Sequence, residues 1–277
     1  MDFIPRIPIN NWTDIGIDYL QLKFGTSFDS MSDFLKSLIL SLQDLLLVIP
    51  PALMITIIAL LGWRFANKKV ALFSLIGMYL VYNVGLWDAT MQTVAMVIGS
   101  VLICILFGIP LGILSAKNQS AHKIINPILD FMQTLPAFVY LLPAVTFFGL
   151  GVVPAVIATL IFAMPPVIRL TDLGIKQVPE ELRELGISFG STFYQMLFKI
   201  ELPLARPTIM AGINQCIMLS LSMVVISAMI GAKGLGGEVW RSIQRMEIGT
   251  GFEAGLAIVV IAMILDRITQ SFGKSNN

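Results

Sequence analysis

The sequence predicts an all-α integral membrane protein, and three observations carry that reading. Hydrophobic residues make up 56% of the chain and charged residues 13%, against roughly 45–50% and roughly 25% in soluble domains. Mean hydropathy is +0.85. Apolar runs suited to a helix crossing a ~30 Å hydrocarbon core, at about 20 residues per crossing, recur along the chain and number about seven.

In order, the first 30 residues scatter Asp2, Arg6, Asp14, Asp18 and Lys23 among apolar positions. Without a continuous apolar core, a cleavable signal peptide is not expected. Residues 31–46 place Phe34, Leu35, Leu38, Ile39, Leu42 and Leu46 on one helical stripe, opposite Asp33, Lys36, Ser37 and Ser41. Such a helix either lies along the outer leaflet or extends the first span. The spans themselves are expected at 45–63, 70–87, 91–115, 125–148, 152–171, 207–231 and 251–269. Pro50, Pro51, Pro110, Pro136, Pro143, Pro165 and Pro166 fall within or at the ends of these runs. Each removes a backbone donor and kinks or ends a helix, which favours a packed bundle around a cavity.

Loop charge sets the orientation. Arg64, Lys68 and Lys69 lie in the first loop and Lys117 and Lys123 in the third, whereas the loops around Asp88 and at 149–152 carry no Lys or Arg. The positive-inside rule puts the first, third and fifth loops in the cytoplasm. The fifth is the long one, 172–206, with Lys176, Arg183, Lys199 and Arg206. The N-terminus is then outside and the C-terminus, with Arg267 and Lys274, inside. The segment 231–251 carries Lys233, Arg241 and Arg245 yet falls outside if there are seven spans, and a short re-entrant or surface helix would also fit there.

Several function classes lack their residues. The formal net charge is +1, and nucleic-acid binding needs a concentrated basic face. No G-x-x-x-x-G-K-[ST] run is present, and GAKGLGG at 231–237 has the wrong spacing, so the chain carries no P-loop of its own. Cys104 and Cys216 lie in apolar runs and His122 is the single histidine, leaving little material for a disulfide or a metal site. A secondary carrier or channel would need a midplane ionisable site or an inverted repeat. Asp130, Glu253 and Asp266 all sit near predicted helix ends, and Asp130 reads as an early-helix acid or a partner for Arg169.

The long cytoplasmic loop has its own pattern. Pro179, Glu180 and Glu181 form the first turn of a helix running to about Phe189, because proline is preformed there and acids complement the helix dipole. Gly190 breaks that helix and Ser191 caps a second one. In the second, Phe193, Met196, Leu197 and Ile200 recur at i, i+3, i+4, i+7, making one face apolar. Leu202 and Pro203 are expected to end it before Arg206 and Pro207 re-enter the bilayer. The apolar face of this elbow either fills a groove on a partner or packs on the bundle's own end.

Glu184, Leu185, Gly186, three residues, Gly190, nine residues, Ile200, one residue, Leu202 and Pro203 resemble the E-A-A-x3-G-x9-I-x-L-P signature of permease subunits of bacterial ABC importers. Leu185 and Gly186 stand where that signature has alanines. PILDFMQTLPAFVYLLPAV at 127–145, IFAMPPVIRLTDLGIKQVP at 161–179, INQCIMLSLSMVVISAMIGAKGLG at 213–236 and ILDRITQ at 264–270 look like the permease of glycine betaine and proline betaine importers. PRIP at 5–8 and GLWD at 85–88 are similar as well. Histidine, choline and methionine importers share parts of the pattern.

The resemblance implies a type I ABC importer permease fold with a five-helix core at 91–270, peripheral helices at 45–90, an extracellular segment at 1–44 and a cytoplasmic tail at 271–277. It implies a second copy of this chain, two copies of an ATP-binding subunit that holds ATP and Mg, and a separate extracellular substrate-binding protein. No cofactor is expected in the chain itself. The elbow residues Glu184, Gly186, Phe189, Gly190, Ser191, Ile200, Leu202 and Pro203 would couple it to the ATPase. Phe131, Met132, Phe138, Tyr140, Ser220, Ser222 and Met223 are candidates to line the pathway. Because the chain ends seven residues after Gln270, no fused binding domain is expected.

Overall fold

Pro50 parts the first two helices of the computed structural model, which describes residues 9–273. Helix α1 (Ile9–Val48) runs 40 residues, and α2 (Pro51–Leu61) leaves it at an angle of 102°. A π-turn, Gly62–Ala66, follows. The remaining helices are α3 (Lys68–Asn83), α4 (Trp87–Lys117), α5 (Gln119–Thr134), α6 (Leu141–Phe148), α7 (Val152–Lys176), α8 (Glu180–Ser188), the short α9 (Phe193–Gln195), α10 (Leu202–Ala228), α11 (Leu235–Arg245) and α12 (Ile248–Gly273). The PRIP segment and the last residues of the 271–277 tail lie outside the described residues.

The all-α class is as the sequence predicts, with corrections of detail. The stripe at 31–46 does not face outward along its whole length. It belongs to the continuous α1, where Leu35 and Ile39 are buried while Phe34 is exposed. Ile39 seats on Gly99 of α4, where an added Cβ would lie 2.3 Å from Ile39 Cδ1. The expected span at 125–148 is broken: α5 and the pair formed by a 3₁₀ turn, Ala137–Tyr140, and α6 meet at 106°. Pro136 sits at that break in an extended conformation, which a residue lacking its N–H tolerates and a helix interior does not.

Among the described residues, four helices are individually long and apolar enough to cross a membrane, or up to six if each bent pair is one span. Helix α3, expected as the span 70–87, has 16 residues, a length of about 24 Å at 1.5 Å per residue. Gly85, at φ +75°, turns the chain back toward α4. The segment 231–251 forms the short α11, about 16 Å long, packed on α10, α12 and α4.

The centre of the bundle is where α7 packs against α4 and α10. Small residues set that approach. A Cβ on Gly112 of α4 would lie 2.5 Å from Thr171 Cβ and 2.7 Å from the Ile168 carbonyl oxygen, and one on Gly212 of α10 would lie 2.9 Å from the Pro166 carbonyl oxygen. Lipid tails are as apolar as the side chains, so close packing and hydrogen bonds hold such helices together. Pro110, Pro165 and Pro166 lie inside helices without ending them. At the end of the bundle opposite the elbow, the Leu235 amide donates to Thr93 Oγ1 at 2.9 Å and ties α11 to α4.

Candidate functional site

The elbow begins where α7 ends. Pro179 stands before α8, and Glu180 and Glu181 occupy its first turn. Its C-terminus closes in a Schellman arrangement: Gly190, at φ +73°, donates from its amide to the Ile187 carbonyl at 2.8 Å. The Ser191 amide donates to the Gly186 carbonyl at 3.0 Å. The left-handed conformation suits glycine because a Cβ there would crowd the following carbonyl. Ser191 is therefore part of the first helix's stop rather than the second helix's cap. Thr192 is the cap: its Oγ1 accepts from the Gln195 amide, and Gln195 Oε1 accepts from the Thr192 amide at 2.9 Å. This reciprocal pair satisfies two donors that the helix cannot.

Leu202 and Pro203 do not end the second helix. Met196–Glu201 form a π-turn that runs directly into α10, with Pro203 in the first turn of α10 and Pro207 inside it. A π-turn relaxes the i to i−4 ladder, so the missing proline donor and the bulk of its ring are accommodated there.

The apolar residues divide between two faces. Met196 and Leu197 turn inward, 8% and 5% exposed. Gly186 of α8 lies over them, and its Cβ position would be 2.7 Å from Met196 Cε and 2.8 Å from Ile200 Cδ1. Both are far ends of flexible side chains, so the alanine of the related signature would fit after a small shift. Outward stand Leu185, Ile187, Phe189, Phe193, Tyr194 and Phe198, with Phe189 82% exposed. Phe193 and Tyr194 meet edge to face at 5.6 Å. Of the periodic stripe, Met196, Leu197 and Ile200 serve internal packing while Phe193 turns outward, and most of the exposed apolar surface comes from residues outside the stripe. Glu184 is exposed, Ile200 and Leu202 are half-buried and Pro203 is exposed.

Beneath the elbow lies a charge cluster that sequence reasoning missed. Glu201, the variable residue between Ile200 and Leu202, is 1% exposed. Lys117 Nζ, at the end of α4, donates to Glu201 Oε1 at 2.6 Å and lies 2.5 Å from Oε2. Arg183 Nε of α8 stands 3.3 Å from Oε1 as an ion pair without a hydrogen bond. The Arg183 guanidinium also donates to the Ile175 carbonyl of α7. One carboxylate therefore joins α4, α8 and the start of α10. The available signal was an acid interrupting an apolar run that leads into a span. Beside it, Lys176 Nζ lies 2.9 Å from Asp172 Oδ1, and His122 Nδ1 lies 3.0 Å from Ser115 Oγ.

The candidate lining residues do not converge. Tyr140 is buried, its hydroxyl donating to the Met132 carbonyl at 2.7 Å, and Ser220 and Met223 are buried in the bundle. Phe131, Phe138 and Ser222 are exposed and Met132 half-buried; Ser222 Oγ donates to the Met218 carbonyl at 3.0 Å. Asp130 pairs with Arg169 at 2.5 Å.

Comparison with known proteins places this architecture. The chain is 51% identical over 271 residues to the glycine betaine transport system permease protein OpuAB of Bacillus subtilis (strain 168), covering 98% of this chain and 96% of that protein. It is 46% identical over 270 residues to the glycine betaine/proline betaine transport system permease protein ProW of Escherichia coli (strain K12), covering 98% of this chain and 76% of that protein. An inward-facing structure of the MetNI methionine ABC transporter superposes with a TM-score of 0.60 at 20% identity, over 68% of this chain and 95% of that one. That likeness establishes the fold as the type I ABC importer permease fold. Residues 108–275 match the family described as binding-protein-dependent transport system inner membrane component, and it is to this family that the chain belongs.

Proposed function

We propose that this chain is the membrane-spanning permease subunit of an ATP-driven importer of glycine betaine or a related quaternary ammonium solute. The 51% identity to a glycine betaine permease, over 98% of the chain, carries the reading. Membership of the family brings an ABC complex with ATPase partners. The finer composition belongs to the proposal: two copies of this chain, two ATPase subunits holding ATP and Mg, and an extracellular binding protein. So do the core at 91–270, the scaffold at 1–90, the outward N-terminus and the cytoplasmic C-terminus.

The elbow supports a coupling role. Its exposed aromatic residues form the kind of anchor set that fills a partner's pocket, and Glu201 ties its base to α4 and α10. ATP binding closes the ATPase pair, draws two elbows together and turns the pathway outward; hydrolysis returns it inward. ATP drives this only by its differential affinity for the closed state, and moving an equilibrium from 1:99 to 99:1 takes about 5.5 kcal/mol. High-affinity capture of a trimethylammonium group wants an aromatic cage, which the binding protein supplies. The permease holds substrate weakly, with Phe131 and Phe138 as its accessible aromatics.

Proteoliposomes holding the chain, its ATPase and its binding protein test this. Labelled glycine betaine should accumulate only with ATP and all three components. Uptake without the ATPase would mark a secondary carrier or channel, and ATP-driven uptake of choline, carnitine or proline in preference to betaine would redirect the substrate.

A further inference from the structure

A second site lies away from the elbow face, between α3 and α12. These helices run antiparallel and touch at two levels. Gly77 of α3 faces Val260 of α12, where a Cβ would lie 2.7 Å from Val260 Cγ1. Phe65, just before α3, meets Phe272 with ring centroids 4.7 Å apart. Between these contacts the helices part around a cavity of about 340 Å³ lined by Asn67, Lys69, Val70, Phe73, Met263 and Arg267.

The lining is part apolar and part polar. Val70, Phe73 and Met263 supply apolar surface, and Asn67, Lys69 and Arg267 supply polar and cationic groups. The antiparallel register brings Lys69 and Arg267 to the lining of one cavity. Asp266 stands beside one of them: its Oδ2 lies 3.9 Å from Arg267 Nε in a loose ion pair, while its Oδ1 accepts from Asn214 and Gln270, each at 2.7 Å. The Arg267 side chain is 62% exposed. With two cations and one nearby carboxylate, the lining keeps a net positive charge that an anion would offset. The neighbouring outer face of α3, Leu72, Ile76 and Tyr79, is exposed and apolar, as a lipid-facing surface is.

We propose that this cavity holds an anionic phospholipid, with its phosphate between Lys69 and Arg267 and the start of an acyl chain along Val70, Phe73 and Met263. A cationic rim at the bilayer edge attracts anionic headgroups, each Lys or Arg adding to the attraction. The apolar wall distinguishes a lipid from a free phosphate, which would gain nothing from it. The inference rests on the chain's membrane setting and not on which solute it carries.

Native mass spectrometry of the delipidated full-length chain in detergent tests it. Phosphatidylglycerol should be retained at least about tenfold more tightly than phosphatidylcholine of the same chains, and the K69Q/R267Q pair should weaken that retention about thirtyfold. Retention should survive in K69R/R267K, and in K233Q/R245Q, which removes two cations from elsewhere on the chain. Equal retention of the two lipids, or an unaffected K69Q/R267Q, would overturn the proposal. Displacement of the lipid by millimolar inorganic phosphate would overturn it too, by marking a free-anion site. The lipid comparison and the phosphate competition need no variant, so misfolding of one cannot obscure the result.

Discussion

The centre of the bundle and the base of the elbow are both tightly built, but by different means. Where α4, α7 and α10 meet, glycines let backbones approach. At the elbow base, a single carboxylate, 1% exposed, gathers two cations from two other helices. Shape fixes the first region and charge fixes the second. A dry interface resists any relative movement of its helices, whereas an ion-paired joint can shift as a unit while its partners stay together. That difference suits a rigid pathway moved by a lever.

Removing Glu201 strikes the comparison hardest. Glu201→Ala leaves Lys117 and Arg183, each about two-thirds or more buried in its side chain, without their anion. Breaking a buried pair from one side costs about 3 kcal/mol or more. Thermal unfolding of the solubilised chain should show a clear loss, partly restored when Lys117→Met is added to Glu201→Leu. An unchanged midpoint for Glu201→Ala would mean that charge does not hold the elbow base.

Next comes shape. Gly112→Val drives a side chain into Thr171 and the Ile168 backbone, and overpacking of this kind costs about 1–3 kcal/mol. Gly186→Ala makes a similarly close contact, but only with the ends of Met196 and Ile200, and should cost under about 0.5 kcal/mol. Equal losses for the two would erase the distinction between backbone-limited and side-chain-limited packing.

The outer surface of the elbow should behave differently again. Phe189 is 82% exposed, so Phe189→Ser should leave the isolated chain's stability within about 0.5 kcal/mol. As an aromatic anchor it should weaken ATPase binding by about 2 kcal/mol, roughly thirtyfold in Kd, measurable by co-purification or light scattering. Gly190→Val forces a β-branched residue to φ +73°, a strain of about 1–2 kcal/mol. Its sharper signature is functional: ATP turnover should persist while betaine uptake falls. Full coupling in that variant would remove the elbow's shape from the mechanism.

These outcomes also mark what the sequence could reveal. The glycine at 190 was legible because a helix signal stops there and polar cap residues follow. Ser191 reads as the cap by its residue type, whereas Thr192 and Gln195 carry the capping-box spacing and form the cap. The π-turn at Met196–Glu201 has no local signature, so Pro203 read as a stop. The position of Glu201 carries a signal, an acid in an apolar run, but what it anchors does not, because its partners Lys117 and Arg183 lie 84 and 18 positions away. Hydrophobicity located the apolar runs but not the 106° break at Pro136, since proline marks a lost hydrogen bond without fixing the angle.

The smallest expected effect falls on the ion pair between α5 and α7. Asp130 of α5 and Arg169 of α7 lie 2.5 Å apart with side chains 66% and 38% exposed, so solvent and salt weaken their attraction. Exposed pairs contribute about 0–1 kcal/mol, and a Debye length of roughly 10 Å at 0.1 M salt shortens their reach. Asp130→Asn should therefore shift the unfolding midpoint slightly at low salt and not at all at high salt, with uptake retained. Should Asp130→Asn assemble with its ATPase and yet abolish uptake, the carboxylate would be acting on the solute or the gate. The line between a charged lever and an uncharged pathway would then have to be redrawn through α5.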